Sequence, residues 1–223
     1  DLQEPLRKIQ AFGDRLKARE SQQLSDQGKE YIDRMLNAAV RMQNLINDLL
    51  SFSRVTTQAQ SFVQTDLKAI LEGVLSDLEV SIERTGARIE IAALPKLEAE
   101  PTQMRQLFQN LIANALKFRQ PDTSPIIKIY ARHHQRKAHL ISTPGDETIE
   151  IFVEDNGIGF EEKYLDRIFN VFQRLEGHKY EGSGIGLALC RKIAIRHGGN
   201  ITAHSQPGKG STFIVTLAVK QTG

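Results

Sequence analysis

From Leu2 to Phe52 the apolar residues return every three or four positions and almost never alternate, which permits helix and excludes sheet for the first fifty residues. Ile32, Met35, Ala39, Met42, Ile46 and Leu49 form a heptad seam that Leu36, Leu45 and Leu50 widen. Leu2, Leu6, Ile9 and Leu16 repeat the pattern upstream, with Phe12 and Gly13 sharing the missing step. Between the runs, S-Q-Q-L-S-D-Q-G reads as a turn in which Ser25 or Asp26 caps the second helix. The segment is therefore expected to be an antiparallel helical hairpin over residues 1–58. Two helices cannot enclose a seam that is apolar on more than one side, so a partner is expected, most simply a second copy completing a four-helix bundle. The alternative is a hairpin packed on its own C-terminal domain.

After Arg54 the polar stretch T-T-Q-A-Q-S reads as a hinge, and residues 59–223 change character. Helices are expected over Leu67 to Ile82, Thr102 to Phe118, Glu161 to Val171 and Ser183 to His197. Strands are expected over Ala87 to Ala92, Ile126 to His133 and Ile149 to Glu154, with Asn200 to Ser205 pairing with Ser211 to Val219 across P-G-K-G. The fold class is α+β: a helical hairpin followed by a mixed sheet covered by helices. R-H-H-Q-R-K-A-H and the following S-T-P-G-D-E read as an exposed hairpin tip. With 29 basic residues against 27 acidic ones and no long basic run, a dedicated nucleic-acid surface is not expected. Cys190 is the single cysteine, which excludes an intrachain disulfide and a cysteine metal cluster. No stretch approaches the roughly twenty apolar residues of a membrane span, so no membrane contact by these residues and a cytoplasmic setting are expected.

Three separated motifs carry chemistry. In N-L-I-A-N-A-L-K-F, Asn110 and Asn114 stand four apart on a helix and point the same way, with Lys117 close by on the next turn. A carboxamide oxygen is a hard neutral ligand suited to Mg²⁺ that already carries phosphate oxygens, and an ammonium neutralises phosphate charge. Phe118 is placed to cover an aromatic base. In E-D-N-G-I-G-F an apolar strand runs into Asp155, with Gly157 and Gly159 beyond it. A carboxylate at a strand end can accept from an exocyclic amine such as adenine N6, and glycine lets the backbone approach a flat ring. Asn156-Gly157 would also satisfy a plain turn. G-S-G-I-G-L, with Gly182, Gly184, Gly186 and Leu187, resembles a glycine-rich turn entering a helix, where free N–H groups and the positive dipole end suit phosphate. The polar run from Gln173 to Glu181 reads as a mobile lid bringing Arg174, His178 and Lys179 toward phosphates.

Taken together and in this order, these residues resemble a sensor histidine kinase of two-component signalling, over nearly the whole chain. Asn110 to Phe118 is similar to the family's N box, Asp155-x-Gly157-x-Gly159 to its G1 box, Phe169 and Phe172 to its F box, and Gly182-x-Gly184-x-Gly186-Leu187 to its G2 box. D-L-Q-E-P-L-R-K-I from Asp1 resembles the H box, of the phytochrome-like kind, directly after its phosphoacceptor histidine. That histidine would be the residue before Asp1.

The resemblance implies a Bergerat-type α/β sandwich that binds ATP, shared with gyrase, Hsp90 and MutL, joined to a dimerisation and histidine phosphotransfer hairpin. By that implication Asn114 is the principal Mg²⁺ ligand with Asn110 beside it, Lys117 meets phosphates, Phe118 lies near adenine and Asp155 binds its amino group. Arg174 stabilises the transferring phosphoryl group, Thr212 joins the base pocket, and Asp1 takes the acceptor imidazole's proton. The implied partners are a second copy, a response-regulator receiver domain meeting Lys8, Ala11 and Arg15, and an upstream sensor domain; a membrane anchor ahead of Asp1 is compatible with it. Hydrolytic relatives carry a glutamate where this chain has Asn110, which favours transfer over hydrolysis. Glu4 stands where phosphatase-competent members have threonine or asparagine, which counts against regulator dephosphorylation. His133, His134 and His139 invite a metal reading that the charged hairpin around them does not favour. The competing functional classes are a gyrase-like ATPase and a degenerate nucleotide-binding scaffold.

Overall fold

The computed structural model describes residues 3–20, 23–57, 60–134, 147–175, 180 and 182–221. The heptad pattern forms two helices, α1 (Gln3–Glu20) and α2 (Asp26–Thr57). Ser25 Oγ accepts from Gly28 N at 3.1 Å, the bond expected of a serine N-cap. The helices run antiparallel: Lys17 Nζ lies 2.6 Å from Asp33 Oδ1, and Gln3 Nε2 lies 2.9 Å from Asn47 Oδ1. A Cβ at Gly13 would lie 2.5 Å from Leu36 Cδ2, so the missing step in the apolar pattern is where the helices approach most closely. Leu6, Ile32 and Ala39 are buried in the seam, whereas Phe12 is 65% and Met35 61% exposed. Ile9, Phe12, Gly13, Leu16, Ile32 and Met35 line an open apolar groove of about 310 Å³. The hairpin alone thus leaves half of its own apolar stripe uncovered.

The rest of the chain is an α/β sandwich. Five strands make the main sheet: β2 (Arg88–Ile91), β4 (Ile126–His134), β5 (Thr148–Asp155), β6 (Asn200–Gln206) and β7 (Gly210–Ala218), in the order β2-β4-β5-β7-β6. β2 pairs parallel with β4, and every other pair is antiparallel. Two further strands, β1 (Val63–Asp66) and β3 (Lys96–Ala99), pair antiparallel in a separate ribbon. On one face of the main sheet lie α3 (Leu67–Asp77), α5 (Pro101–Lys117) and α7 (Gly186–Arg196), burying Leu71, Phe108, Ile112 and Ile193 against Ile129, Ile151 and Val215. Alternation along β5 puts Ile149, Ile151 and Val153 into this core.

Several sequence expectations are revised. The helix foreseen over Leu67 to Ile82 breaks at Leu78 into α3 and α4 (Glu79–Thr85), and the bend keeps Leu78 and Ile82 packed on the core. The helix foreseen over Glu161 to Val171 shrinks to a 3₁₀ turn (Glu162–Tyr164) and one α-turn, α6 (Leu165–Ile168). It stops because Phe169 turns into the core and Phe172 takes a left-handed conformation, φ 62°, in which its N–H reaches Gly184 O at 3.0 Å. α7 begins at Gly186, three residues later than foreseen. The short strands β1 and β3 were not foreseen. The hairpin-tip segment 135–146 lies outside the described residues, while β4 and β5 on either side of it pair to the end, His134 opposite Thr148. Among the described residues no helix is long and apolar enough to cross a membrane.

Candidate nucleotide site

The three motifs meet at one end of the helical layer. α5 is fixed at its start by Glu100, whose carboxylate accepts from Thr102 N at 2.8 Å and Gln103 N at 2.9 Å, with Pro101 in the first turn. Buried Leu107, Leu111 and Ala115 hold one face of the helix down, leaving Asn110, Asn114 and Lys117 half-exposed toward its C-terminal end. The glycine-rich loop lies against them. A Cβ at Gly186 would lie 3.1 Å from Asn110 Oδ1, and one at Gly182 would lie 2.9 Å from Lys117 Nζ. The first turn of α7 has no side-chain cap, so its leading N–H groups are available to a ligand. Leu187 packs on the core, and Gly184 meets the backbone of Phe172 and Gln173.

Asp155 ends β5 on the helix-covered face. Its Oδ1 accepts from Gly157 N at 2.8 Å and from Ser211 N at 3.3 Å. Among the described residues no hydrogen bond falls on Oδ2. Burial pushes the carboxyl up to about 6 from its ordinary 3.8; the Gly157 and Ser211 N–H groups pull it down and the neighbouring Glu154 charge adds to the rise. The wall beside it admits no side chains. A Cβ at Gly157 would lie 2.4 Å from Phe118 O, and one at Gly159, whose φ is 61°, would lie 2.2 Å from Gln206 O. Phe118 O accepts from Ile158 N at 2.9 Å, which ties this loop to the end of α5. The Phe118 ring lies 5.0 Å from that of Tyr180 and 4.3 Å below Lys117 Nζ.

Thr212 is misplaced: it pairs with Glu154 and His204 on the outer face of the sheet, opposite to Asp155. Strand alternation puts Ser211 there instead, directly across from Asp155, with Ser211 Oγ 3.0 Å from Ser205 Oγ. Counting back by twos from buried Phe213 would have found it. Arg174 is exposed, and its guanidinium donates to the carbonyl of Tyr180. Asp1 and Lys179 lie outside the described residues. Two further residues escaped the sequence reading. Asn156 braces the loop through Oδ1, which accepts from Ile126 N at 2.8 Å, and Nδ2, which donates to Ser124 O at 3.1 Å. Gln120 reaches the carbonyls of the same loop from beyond the end of α5.

Known proteins resemble this chain in sequence and fold. Residues 99–221 match the family described as "Histidine kinase-, DNA gyrase B-, and HSP90-like ATPase", and residues 1–58 match the "His Kinase A (phospho-acceptor) domain". Phytochrome-like protein Cph1 of Synechocystis sp. is 39% identical over 98% of this chain and 28% of its own length. Cyanobacterial phytochrome A of Nostoc sp. is 41% identical over 98% of this chain and 27% of its own length. The chain thus spans little more than a quarter of these relatives. Full-length ShkA in complex with AMPPNP superposes with a TM-score of 0.71 at 21% identity, covering 100% of this chain and 45% of that one. Histidine kinase ThkA in complex with response regulator protein TrrA superposes with a TM-score of 0.65 at 21% identity, covering 97% of this chain and 59% of that one. The chain belongs to the histidine kinase family, with a phospho-acceptor helical domain ahead of a gyrase B- and HSP90-like ATPase fold.

Proposed function

We propose that this chain is the catalytic core of an autophosphorylating protein histidine kinase, using Mg-ATP and working as a homodimer through its helical hairpin. The observation that carries the reading is the convergence of Asn110, Asn114 and Lys117 with the Gly182–Gly186 loop on one side and Asp155 on the other. The donor set fits the nucleotide. Asp155 Oδ2 accepts from the adenine amino group, Gly157 and Gly159 let the loop beside it pack on the Phe118 and Gln206 carbonyls, and the uncapped start of α7 with Lys117 receives phosphates. Asn114 and Asn110 supply the neutral hard oxygens that suit Mg²⁺, which when bound neutralises charge on the phosphate oxygens. The γ-phosphorus to bridging-oxygen bond breaks, a phosphorus to nitrogen bond forms on an imidazole immediately ahead of Asp1, and the imidazole proton passes to the Asp1 carboxylate. Positioning and charge neutralisation are the main requirements of such an in-line transfer. Arg174 meets the transferring group once released from the Tyr180 carbonyl.

The phosphoryl group then passes to an aspartate of a response-regulator receiver domain docked along α1 at Lys8, Ala11 and Arg15. An upstream sensor domain supplies the input, and the core works in the cytoplasm. ThkA, solved with the response regulator TrrA, supports the receiver step by similarity of fold. The exposed stripe of Phe12 and Met35 supports the dimer, because a four-helix bundle would cover it.

The test is to place a histidine directly before Asp1, add Mg²⁺ and ATP labelled at the γ-phosphate, and follow the label. Acid-labile, base-stable label on the protein is expected. Steady release of free phosphate with no labelled protein would replace the kinase reading by a gyrase-like ATPase. No nucleotide binding at all would leave a scaffold.

A further inference from the structure

Gln120 follows the end of α5 and has no place in any of the motifs above. Its side-chain nitrogen Nε2 lies 3.1 Å from Asn156 O, 3.1 Å from Gly157 O and 3.0 Å from Gly208 O. Three carbonyl acceptors around one atom fix that end of the amide as the NH₂ group. Gly208 belongs to the β6–β7 turn, and its own N–H donates to Ile158 O at 2.7 Å. One half-buried amide therefore joins α5's exit, the loop after Asp155 and the turn beyond it.

The peptide that Gln120 grips is the one that orients the carboxylate. Gly157 N holds Asp155 Oδ1 at 2.8 Å, so the tilt of the 156–157 peptide decides which oxygen of Asp155 is engaged and where Oδ2 points. Asn156 steadies the loop from the β4 side, through Ile126 N and Ser124 O. Gln120 holds it from the end of α5 and ties it to the β6–β7 turn. Without it, the carbonyls of Asn156 and Gly157 lose their donor and the peptide is free to rotate toward water.

We infer that Gln120 is a positioning residue that sets base selectivity, by holding the Asn156–Gly157 peptide so that Asp155 presents Oδ2 to an exocyclic amine. The inference rests on the nucleotide reading above. It separates from a merely structural role because a structural role weakens all nucleotides alike, whereas positioning of Asp155 acts only on a base that carries an amine.

The experiment measures calorimetric affinities of this chain for ATP and for inosine triphosphate, which has a carbonyl oxygen in place of the amine, alongside thermal unfolding. The wild-type protein is expected to favour ATP by at least about tenfold, from one charge-assisted hydrogen bond against a clash of acceptors. Gln120→Met, of similar length and without a donor, is expected to cut that ratio about fivefold through weaker ATP binding, with inosine triphosphate nearly unchanged. Gln120→Asn keeps the amide but loses one methylene of reach, and its ratio should fall as well; it gives the same information if the methionine variant does not fold. An unchanged ratio in either folded variant, or equal weakening of both nucleotides, overturns the assignment. A wild-type protein that does not distinguish the two nucleotides removes the adenine reading of Asp155, and the role of Gln120 with it.

Discussion

Replacing Asp155 by asparagine should move stability and binding in opposite directions. The carboxyl is pushed from its ordinary 3.8 to about 6, chiefly by burial. A shift of about two units corresponds to up to about 3 kcal/mol spent on keeping the charge in place at neutral pH. For an acid whose folded value is raised, the folded state holds more protons than the unfolded chain between the two values. Stability from this group therefore falls as pH rises through the window from about 4 to 6, and the loss is complete above it. In Asp155→Asn the amide oxygen can keep the bonds from Gly157 N and Ser211 N, and no charge is buried. The variant should be more stable than the wild type at pH 8, by up to about 3 kcal/mol, with the advantage shrinking toward zero near pH 4. Once the oxygen is engaged, the asparagine NH₂ occupies the place of Oδ2 and confronts the adenine amine donor to donor. ATP affinity should fall by about 1–3 kcal/mol, roughly five- to 150-fold. Thermal unfolding from pH 4 to 8 and calorimetric ATP titration at pH 8 measure both. Equal destabilisation of the variant at every pH, or an unchanged ATP affinity, would refute the account of Asp155.

Lys192→Ala removes an ammonium that donates to Phe52 O at 2.8 Å and lies 4.3 Å over the Phe52 ring; it should cost about 1 kcal/mol locally and speed amide exchange over residues 53–57, and unchanged protection there would contradict it. Met35→Asp puts a charge on a side chain 61% exposed in the single chain, so it should convert a dimer to a monomer in sedimentation without loss of helicity; a wild type that sediments as a monomer would contradict the hairpin interface.

The long elements were legible because each repeats its period several times. α2 repeats its seam at six positions from Ile32 to Leu49, and β5 alternates into Ile149, Ile151 and Val153. β1 and β3 are four residues each, too short for alternation to register. The apolar spacing of Tyr164, Leu165, Ile168 and Phe169 imitates a helix, and no side chain announces that Phe169 leaves it at its end or that Phe172 turns left-handed beyond. In the site, the residues proposed to meet a ligand through their own chemistry, such as Asp155 and Asn114, are visible as motifs. Gln120 is not, because its partners are backbone carbonyls 36, 37 and 88 positions away, and a carbonyl has no letter in a sequence. The resemblance implies Thr212, while the pleat puts Ser211 across from Asp155.

The helical layer also explains how the hairpin is connected to the site. α5 and α7 lie antiparallel, with Cys190 Sγ 3.8 Å from Leu107 O between them. At one end of the pair Asn110 meets Gly186, and at the other Glu100 N donates to Nε2 of buried His197 at 3.1 Å. Nδ1 of the same ring lies 2.8 Å from Ile193 O, and burial holds His197 below the usual histidine range, so the neutral ring serves as the acceptor. The contacts to the hairpin and the linker lie toward this second end: Gln103 Nε2 reaches Val55 O at 3.2 Å, Lys192 reaches Phe52 O, and Arg196 reaches Gln60 O at 2.7 Å. From Gln103 to Asn114 along α5 is about 16 Å of continuous helix at 1.5 Å per residue. The carbonyls of the last turns of α2 are thus held by the same two helices whose far ends carry Asn110, Asn114 and Gly186, the residues proposed to meet metal and phosphate. Neither helix contains a proline after its first turn or a break in its described span, so displacement of the hairpin must either carry both nucleotide motifs with it or break the bonds to Phe52, Val55 and Gln60.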